Sequence, residues 1–385
     1  MSGPINYHLV PENQLVAVNL FNSNGVTAMN MSTGQWIGGY GPLPGGNYAS
    51  PYGLASVTPY PTPYPIGGIG HRVPFPIPSV PPTTIFILNG QSVGVQNTND
   101  VSAVSPSLTN PDAATVTTVI SIQQPFSPQQ NGLAVYQKAV PANELYIGPP
   151  FPIFIYVLGS EGQPVGETIF RYQMNSNPPY QPAGLQVNPT DPTFIAGGST
   201  LSGVSVLTTN SGIQGLACSA DGTLAVSDGP VIWLFDAETG ALKDGIYLTP
   251  WNLAAYTLAF GPDGNLYVLA GLPSPSNENV PSSITILKFL GSTAIPYGMS
   301  LWNPVLISPP PIGGIGMTVG GSATAPIVYL SGYDEYDNSN ILTFSGLDGS
   351  PITNSFQDLG VVGSPLALAI VNFYTLTESP ASIPL

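Results

Sequence analysis

The stretch GLACSADGTLAV, residues 215–226, decides the fold, because a similar stretch, TLAFGPDGNLYV, follows it at residues 257–268. Each copy has two short apolar runs separated by a turn in which Asp precedes Gly. The Asp side chain hydrogen-bonds its own turn and Gly adopts the positive φ that such turns need, so each copy predicts a β-hairpin. A hairpin that recurs at this spacing indicates a repeated β architecture.

A third strand and a second turn follow the hairpin. The segment VIWLFDAETG, residues 231–240, ends in turn residues and matches GVTAMNMSTG, residues 25–34. Looser versions occur at residues 169–172, 284–291 and 341–346. A β-propeller blade typically consists of a strand, a turn, two further strands and a turn, repeated at a period of about 40 to 55 residues.

The rest of the chain fits an all-β protein. No window keeps an apolar stripe at helical spacing, because Gly and Pro, 44 residues each, interrupt nearly all of them. Hydrophobic residues make up 43% of the chain, enough for a substantial core. We therefore expect a single β-propeller domain over residues 1–385, with a Pro- and Tyr-rich loop insertion at about 40–82.

The number of blades and the closure of the ring are predicted from the same pattern. Strands that end in turns fall near residues 34, 90, 136, 172, 208, 240, 290 and 346. They favour seven blades, with six or eight left open, since two such strands can belong to one blade. Residues 366–371 resemble a first strand, whereas 15–18 and 25–30 resemble a second and a third. Because open sheet edges invite aggregation, we predict one composite blade in which 366–371 pairs antiparallel with 15–18.

The quoted motifs resemble known propeller families. SADGTLAVSD and GPDGNLYVLA resemble the hairpins of NHL-type and gluconolactonase-type propellers, and IWLFDAETGAL resembles the repeat of quinoprotein-type propellers. The good matches cover residues 215–291. The resemblance implies the propeller architecture, which carries enzymes, lectins and scaffolds alike. The channel cation ligands of the gluconolactonase type do not map onto this sequence residue by residue.

Charge excludes several kinds of partner. Only 6% of the residues are charged, and 5 basic residues against 20 acidic ones give a net charge of −15. Nucleic acid and anionic membrane surfaces are therefore excluded as partners. No apolar stretch is long enough to insert into a membrane, and the start of the chain has no signal-peptide pattern. A neutral polar surface with few ion pairs suits acid or the outside of a cell, so we expect a virion or extracellular location.

Catalytic motifs are missing from the sequence. There are two His residues, and there is no nucleophile elbow, no phosphate-binding loop and no metalloprotease motif. The lone cysteine, Cys218, lies in an apolar run and is interpreted as a core residue. The sequence thus names no catalytic or cofactor-binding residue and favours a protein that is not an enzyme.

Two stretches supply candidate binding residues. In YDEYDN, residues 333–338, the carboxylates of Asp334, Glu335 and Asp337 are candidate ligands for Ca²⁺, although a solvated loop also fits. The flanking rings of Tyr333 and Tyr336 could stack on a sugar. NTND, residues 97–100, is a weaker oxygen-rich candidate. In the Pro-rich insertion, the candidate partner-binding residues are Tyr60, Tyr64 and Phe75.

These observations lead to two hypotheses from different classes. The leading one is a non-enzymatic structural or attachment protein of an extracellular assembly, specifically a capsid-associated virion protein of an archaeal virus from a hot, acidic habitat. Its partners would be other structural proteins of the assembly and a host cell-surface glycan. The alternative is a secreted propeller enzyme or lectin that acts on carbohydrate.

Overall fold

The computed structural model describes the strands and turns of the chain. The described residues are 5–19, 25–31, 33–39, 49–57, 84–91, 98–105, 115–123, 126–137, 153–161, 167–174, 213–272, 284–290, 305–307, 316–333, 339–352 and 365–380. Among them, 22 β-strands form six antiparallel sheets, accompanied by one 3-10 turn at Thr249–Trp251.

The first three sheets come mainly from the N-terminal half of the chain. Sheet 1 contains β1 (Ile5–Asn19), β2 (Gly25–Asn30), β3 (Trp36–Gly39) and β22 (Pro365–Pro380), in the order β22-β1-β2-β3. Sheet 2 contains β4 (Ala49–Val57), β5 (Thr84–Gln91), β6 (Thr98–Ser105) and β7 (Thr115–Gln123), in chain order. Sheet 3 contains β8 (Phe126–Gln137), β9 (Ile153–Glu161) and β10 (Glu167–Met174), in chain order.

The other three sheets follow in the C-terminal half, each in chain order. Sheet 4 contains β11 (Ile213–Cys218), β12 (Thr223–Asp228), β13 (Val231–Asp236) and β14 (Leu242–Tyr247). Sheet 5 contains β15 (Ala254–Phe260), β16 (Leu266–Gly271), β17 (Ile284–Phe289) and β18 (Val305–Ile307). Sheet 6 contains β19 (Met317–Ser322), β20 (Ala325–Tyr333) and β21 (Ser339–Ser345).

The sheets form a closed ring. The first strands of successive sheets contact one another in the order β22, β4, β8, β11, β15, β19 and back to β22. Six sheets arranged in this way are the blades of a β-propeller, so the predicted fold class is confirmed.

The described residues form six blades, one of the counts left open, rather than the favoured seven. The sequence pattern counted one blade twice, because the strands that end near residues 136 and 172 are β8 and β10 of the same sheet. The position near residue 208 lies outside the described residues.

The repeated hairpins fold as predicted. Leu216 lies opposite Val226 in the first copy, and Leu258 lies opposite Val268 in the second. The turn glycines at 222 and 264 have φ of +85° and +76°, which favours Gly because a Cβ would clash with the backbone there. Residues 25–34 and 231–240 also match in structure, because each segment ends in a turn that is closed by the same pattern of backbone hydrogen bonds.

The composite blade is confirmed in register. Leu15 pairs with Ile370 and Val18 pairs with Ala367, antiparallel, and β2 covers the other edge of β1. The two strands extend beyond the blade, because β2 pairs only with residues 14–19 whereas β1 and β22 stay paired out to Ile5 and Pro380. We call the extension, residues 5–13 with 372–380, the terminal ribbon.

Apolar clusters fill the interfaces between neighbouring sheets. Phe86 and Leu88 of sheet 2 pack with Leu133 of sheet 3, and Leu234 of sheet 4 packs with Leu266 of sheet 5. Burial of each such side chain stabilises the fold by about 1.5–3 kcal/mol relative to leaving it exposed. These contacts fix the spacing of the blades and hence the two ends of the ring.

The two ends of the ring carry different connections. Successive strands of each sheet run in opposite directions. The links from the first to the second strand and from the third to the fourth therefore lie at one end of the ring, together with the turns at 219–222 and 236–240. We call it the turn end. The links from second to third strand, and from one sheet to the next, lie at the opposite end, which we call the loop end.

Candidate functional site

Most of the side chains that the sequence proposes for a site lie outside the described residues. They are Asp334, Glu335, Tyr336 and Asp337 in the acidic stretch, and Tyr60, Tyr64 and Phe75 in the insertion. Tyr333 is the last residue of β20, and its backbone pairs with Ser339 of β21. The stretch 334–338 therefore starts and ends at paired strand residues, at the loop end of sheet 6.

The insertion at about 40–82 contains a strand. Residues 49–57 form β4, the first strand of sheet 2, which accommodates Pro51 because β4 is an edge strand with a register shift between Pro51 and Gly53. Residues 58–83 join β4 to β5 and lie outside the described residues. The second oxygen-rich stretch, 97–100, leads into β6 and places Asp100 at the loop end of sheet 2.

A buried polar trio lies at this loop end. The Asn89 amide Nδ2 donates to Asp100 Oδ1 at 2.6 Å and to Ser102 Oγ at 3.3 Å, and Ser102 Oγ donates to Asp100 Oδ1 at 3.2 Å. The three residues are 1%, 2% and 0% exposed. The other end of the amide, Asn89 Oδ1, is buried and has no hydrogen-bond partner.

Strand alternation brings the trio together. Phe86 and Leu88 of β5 face sheet 3, so Asn89 lies on the opposite face of sheet 2, which is turned toward sheet 1. Asp100 is directly opposite Asn89 in the ladder, and Ser102 is two residues farther along β6 on the same face. The weaker of the two oxygen-rich stretches thus ends in a carboxylate that is buried between two blades.

A second buried carboxylate lies at the loop end of sheet 4. Asp228, at the end of β12, is 3% exposed, and its Oδ2 accepts a hydrogen bond from Trp233 Nε1 at 3.2 Å. Burial raises the pKa of Asp228, and the Trp233 hydrogen bond only partly opposes the shift. The strand pattern alone gives no warning of this pairing, because Asp before Gly also fits a simple turn.

The turn end is held by a polar network between sheets 5 and 6. Lys288 Nζ lies 2.9 Å from Asp263 Oδ2 and donates to the Gly346 carbonyl oxygen at 2.6 Å. Tyr267 lies opposite Lys288 in the ladder. Its hydroxyl donates to the same two acceptors, Asp263 Oδ2 at 2.9 Å and the Gly346 carbonyl oxygen at 3.1 Å. Burial alone raises the pKa of Asp263, but hydrogen bonds from Asn265, Lys288 and Tyr267 outweigh it and hold the pKa below its ordinary value.

Sheets 3 and 4 are joined in the same way. Tyr156 lies opposite Arg171 in the ladder, its hydroxyl donates to the Ala237 carbonyl oxygen, and Arg171 Nη1 donates to the Glu238 carbonyl oxygen. The Arg171 guanidinium also lies 5.7 Å from the centre of the Phe154 ring. At both interfaces, a Tyr and the cation opposite it in the ladder therefore donate hydrogen bonds to the turn after the third strand of the next sheet. We call each such pair, together with that turn, a clasp.

Other acidic residues stabilise turns. Asp236 Oδ1 accepts hydrogen bonds from the backbone of Glu238 and Thr239, and Asp348 Oδ1 accepts one from Ser350. Burial raises the pKa of the Cys218 thiol, which is consistent with a core residue rather than a nucleophile. In the part of the chain that the structure describes, no three His, Cys, Asp or Glu residues cluster as a metal site would require.

The sequence analysis missed the clasps and the trio. One signal for a clasp was Lys288, one of five basic residues, which lies inside an apolar run where a charge needs a partner. The trio had a weaker signal, an Asn at the end of the apolar run of β5. Within the described residues, no helix is long and apolar enough to span a membrane.

The chain matches no known protein family and no curated protein sequence. Among solved structures, TolB from Acinetobacter baumannii aligns with 93% of this chain and 66% of its own, at 12% identity and a TM-score of 0.47. The Aleuria aurantia lectin in complex with α-methyl-L-fucoside aligns with 93% of this chain and 99% of its own, at 13% identity and a TM-score of 0.45.

A third structure is the α-L-arabinofuranosidase of Fusarium graminearum with an iminosugar inhibitor. The alignment covers 80% of this chain and 82% of the arabinofuranosidase chain, at 11% identity and a TM-score of 0.45. The Aleuria aurantia lectin is a six-bladed β-propeller. At these identities the likeness concerns the fold alone.

Proposed function

We propose that this protein is a carbohydrate-binding propeller whose ligand docks at the loop end of sheet 6. The observation that carries the proposal is the pairing of Tyr333 with Ser339, which anchors both sides of the acidic stretch 334–338 on the ladder. In general, a segment whose two ends are fixed loses less conformational freedom on binding than one with free ends.

The composition of the loop fits a neutral, hydroxyl-rich ligand. Tyr rings offer flat apolar faces for the C–H face of a sugar, and carboxylate and amide oxygens accept hydrogen bonds from its hydroxyl groups. A net charge of −15 with 5 basic residues disfavours an anionic ligand. Binding without turnover is the activity that this proposal assigns to the loop.

The test is glycan binding by loop variants. Full-length protein should bind one glycan class on an array, with the affinity then measured by calorimetry. Tyr336→Ala should weaken binding by about tenfold or more, as loss of an aromatic contact does at a binding site. Asp348→Asn is the matched control, because Asp348 is an exposed carboxylate of the same sheet at the turn end. Equal affinity of the Tyr336→Ala variant and the wild type would overturn the proposal.

A structural or attachment role in an extracellular assembly is the second candidate, and the terminal ribbon favours it. A two-stranded ribbon is marginally stable alone in water, so this extension needs a covering surface. Removal of residues 1–13 and 372–385 leaves the blade pairs from Gln14 to Asn19 in place. If the ribbon is an assembly element, this variant stays folded but loses self-association or particle binding in light scattering. Unchanged association would eliminate this role.

A further inference from the structure

We propose that the terminal ribbon pairs with the terminal ribbon of a second copy of this chain, through the free edge of residues 372–378 in β22. The proposal rests on the second candidate function and names the partner of the ribbon. Pairing between β2 and β1 starts only at Gln14, and no other described strand joins sheet 1 beside β22. In the described part of the chain, both outer edges of the ribbon therefore present backbone N–H and C=O groups that another strand can pair with.

The position of Pro11 determines which backbone groups face outward. Hydrogen-bonded and non-hydrogen-bonded pairs alternate along an antiparallel ladder. Pro11 has no N–H to donate, and the ladder with β22 is unbroken on both sides of it, so the Pro11–Tyr374 pair is a non-hydrogen-bonded one. By alternation, the Leu9–Leu376 pair is of the same kind. The backbone groups of these residues point away from the ladder, to the two free edges.

The two edges differ in what they offer to a partner strand. On the β1 edge, Pro11 interrupts the row of outward N–H groups, and Pro at such a position blocks edge pairing. On the β22 edge, the outward residues Asn372, Tyr374, Leu376 and Glu378 all have an N–H, so the row of donors and acceptors is uninterrupted. The β22 edge is therefore the one that can add a strand.

The same row favours a second copy as the partner. When two β22 strands pair antiparallel about a two-fold axis at Thr375, Asn372 lies opposite Glu378 and Tyr374 lies opposite Leu376. Every outward N–H and C=O of the row then has a partner, and no carboxylate lies opposite another, although the chain has a net charge of −15. This self-complementary contact is an isologous interface, the kind that forms dimers. It joins two marginal ribbons into one four-stranded sheet.

A pair of proline variants tests the edge. Leu9→Pro and Leu376→Pro change directly opposite residues, and each removes one outward N–H and no hydrogen bond between β1 and β22. Sedimentation equilibrium of the full-length wild type should show a dimer. Leu376→Pro should raise the dimer dissociation constant by at least about tenfold, because two ladder hydrogen bonds are lost, one in each copy. Leu9→Pro should leave the constant unchanged.

A pair of cysteine variants tests the register. Thr375→Cys places two thiols opposite each other in a non-hydrogen-bonded pair, whose Cα atoms are about 4.5 Å apart, within the range that a disulfide bridges. Mild oxidation should therefore cross-link this variant into a covalent dimer. Thr377→Cys should not cross-link, because its opposite residue is Phe373. Both variants retain Cys218, so a cross-link through that residue would form in both.

The outcomes separate this proposal from the assembly role on which it rests. A monomeric wild type, an equal effect of the two prolines, or equal cross-linking of the two cysteine variants would overturn the pairing of β22 edges. If the wild type is monomeric but the variant without the ribbon loses particle binding, the assembly role stands and the partner is another protein. A dimer that persists without the ribbon would contradict both.

Discussion

The interface of sheets 3 and 4 and that of sheets 5 and 6 use the same clasp with different cations. In both, a Tyr of the second strand and a cation opposite it on the third strand donate to the turn of the next sheet. Arg171 Nη1 donates to the Glu238 carbonyl oxygen, and its planar guanidinium lies over the Phe154 ring. Lys288 is 6% exposed and has Asp263 at 2.9 Å.

The difference concerns the cation and its surroundings, since Lys288 is neutralised by Asp263 in the turn between β15 and β16 of its own sheet, while the next sheet supplies the Gly346 carbonyl. A compact ammonium has a large desolvation penalty, which a full negative charge has to offset, whereas a delocalised guanidinium is more weakly hydrated. The clasp geometry is thus shared, and the Lys288 version includes a buried charge pair with Asp263.

The largest effect is expected from breaking the buried pair. Asp263→Asn leaves the Lys288 ammonium without its counter-charge and should lower the free energy of unfolding by about 3 kcal/mol in urea titrations. Glu238→Gln, in the turn of the other clasp, keeps the backbone carbonyl that Arg171 binds and should lower it by less than about 1 kcal/mol. Adding Lys288→Met to Asp263→Asn should recover most of the loss. Equal losses in the two single variants would show that the clasps do not differ.

Loss of the tyrosine hydroxyl should destabilise the fold more at the interface of sheets 3 and 4 than at that of sheets 5 and 6. This is the reverse of the order expected for the carboxylate variants. Tyr156→Phe removes the hydroxyl donor of the buried Ala237 carbonyl and should destabilise the fold by about 2 kcal/mol. Tyr267→Phe should lower stability by about 1 kcal/mol, because Lys288 still donates to Gly346. Chemical denaturation of both variants tests the order, and a larger loss for Tyr267→Phe would contradict it.

Acid should weaken the clasp between sheets 5 and 6. Because the pKa of Asp263 is below its ordinary value, its contribution is full above about pH 4 and is lost as pH falls through the folded-state pKa. Burial raises the pKa of Asp236, in the turn of the other clasp, but hydrogen bonds from Thr239 and the charge of Lys243 outweigh it, so acid weakens that turn as well. Asp228 acts in the opposite direction, since its raised pKa makes protonation favour the fold. The difference in the free energy of unfolding between the wild type and Asp263→Asn should therefore shrink as pH falls below about 4, and a difference that stays constant would contradict the prediction.

The smallest effect is expected at the exposed ion pair. Lys243 Nζ lies 3.7 Å from Asp236 Oδ2, and both side chains are about one-third exposed, at 33% and 34%. Lys243→Met should therefore change the free energy of unfolding by no more than about 1 kcal/mol. If Lys243→Met lowered the free energy of unfolding as much as Asp263→Asn, burial would not account for the strength of the Lys288–Asp263 ion pair.

The sequence predicted features that repeat locally. The hairpin at 215–226, the turn at 236–240 and the joining of the two termini all followed from short motifs, because turn chemistry and strand alternation depend on near neighbours. Asp263 was correctly interpreted as a turn residue, but its partner is 25 residues away on β17. The meeting of Asn89 with Asp100 likewise depends on the register of two strands, which composition does not determine.

The terminal ribbon has a mechanical consequence. Ile5 and Pro380 are the outermost pair of two antiparallel strands, so a force on the two ends separates the strands from that pair inward. The hydrogen bonds then break one pair after another, in a zipper geometry, instead of resisting together in shear. The pairs beyond the blade open first, and the blade itself carries load only when the opening reaches Gln14. A tension on the two ends therefore acts on the terminal ribbon before it acts on the ring.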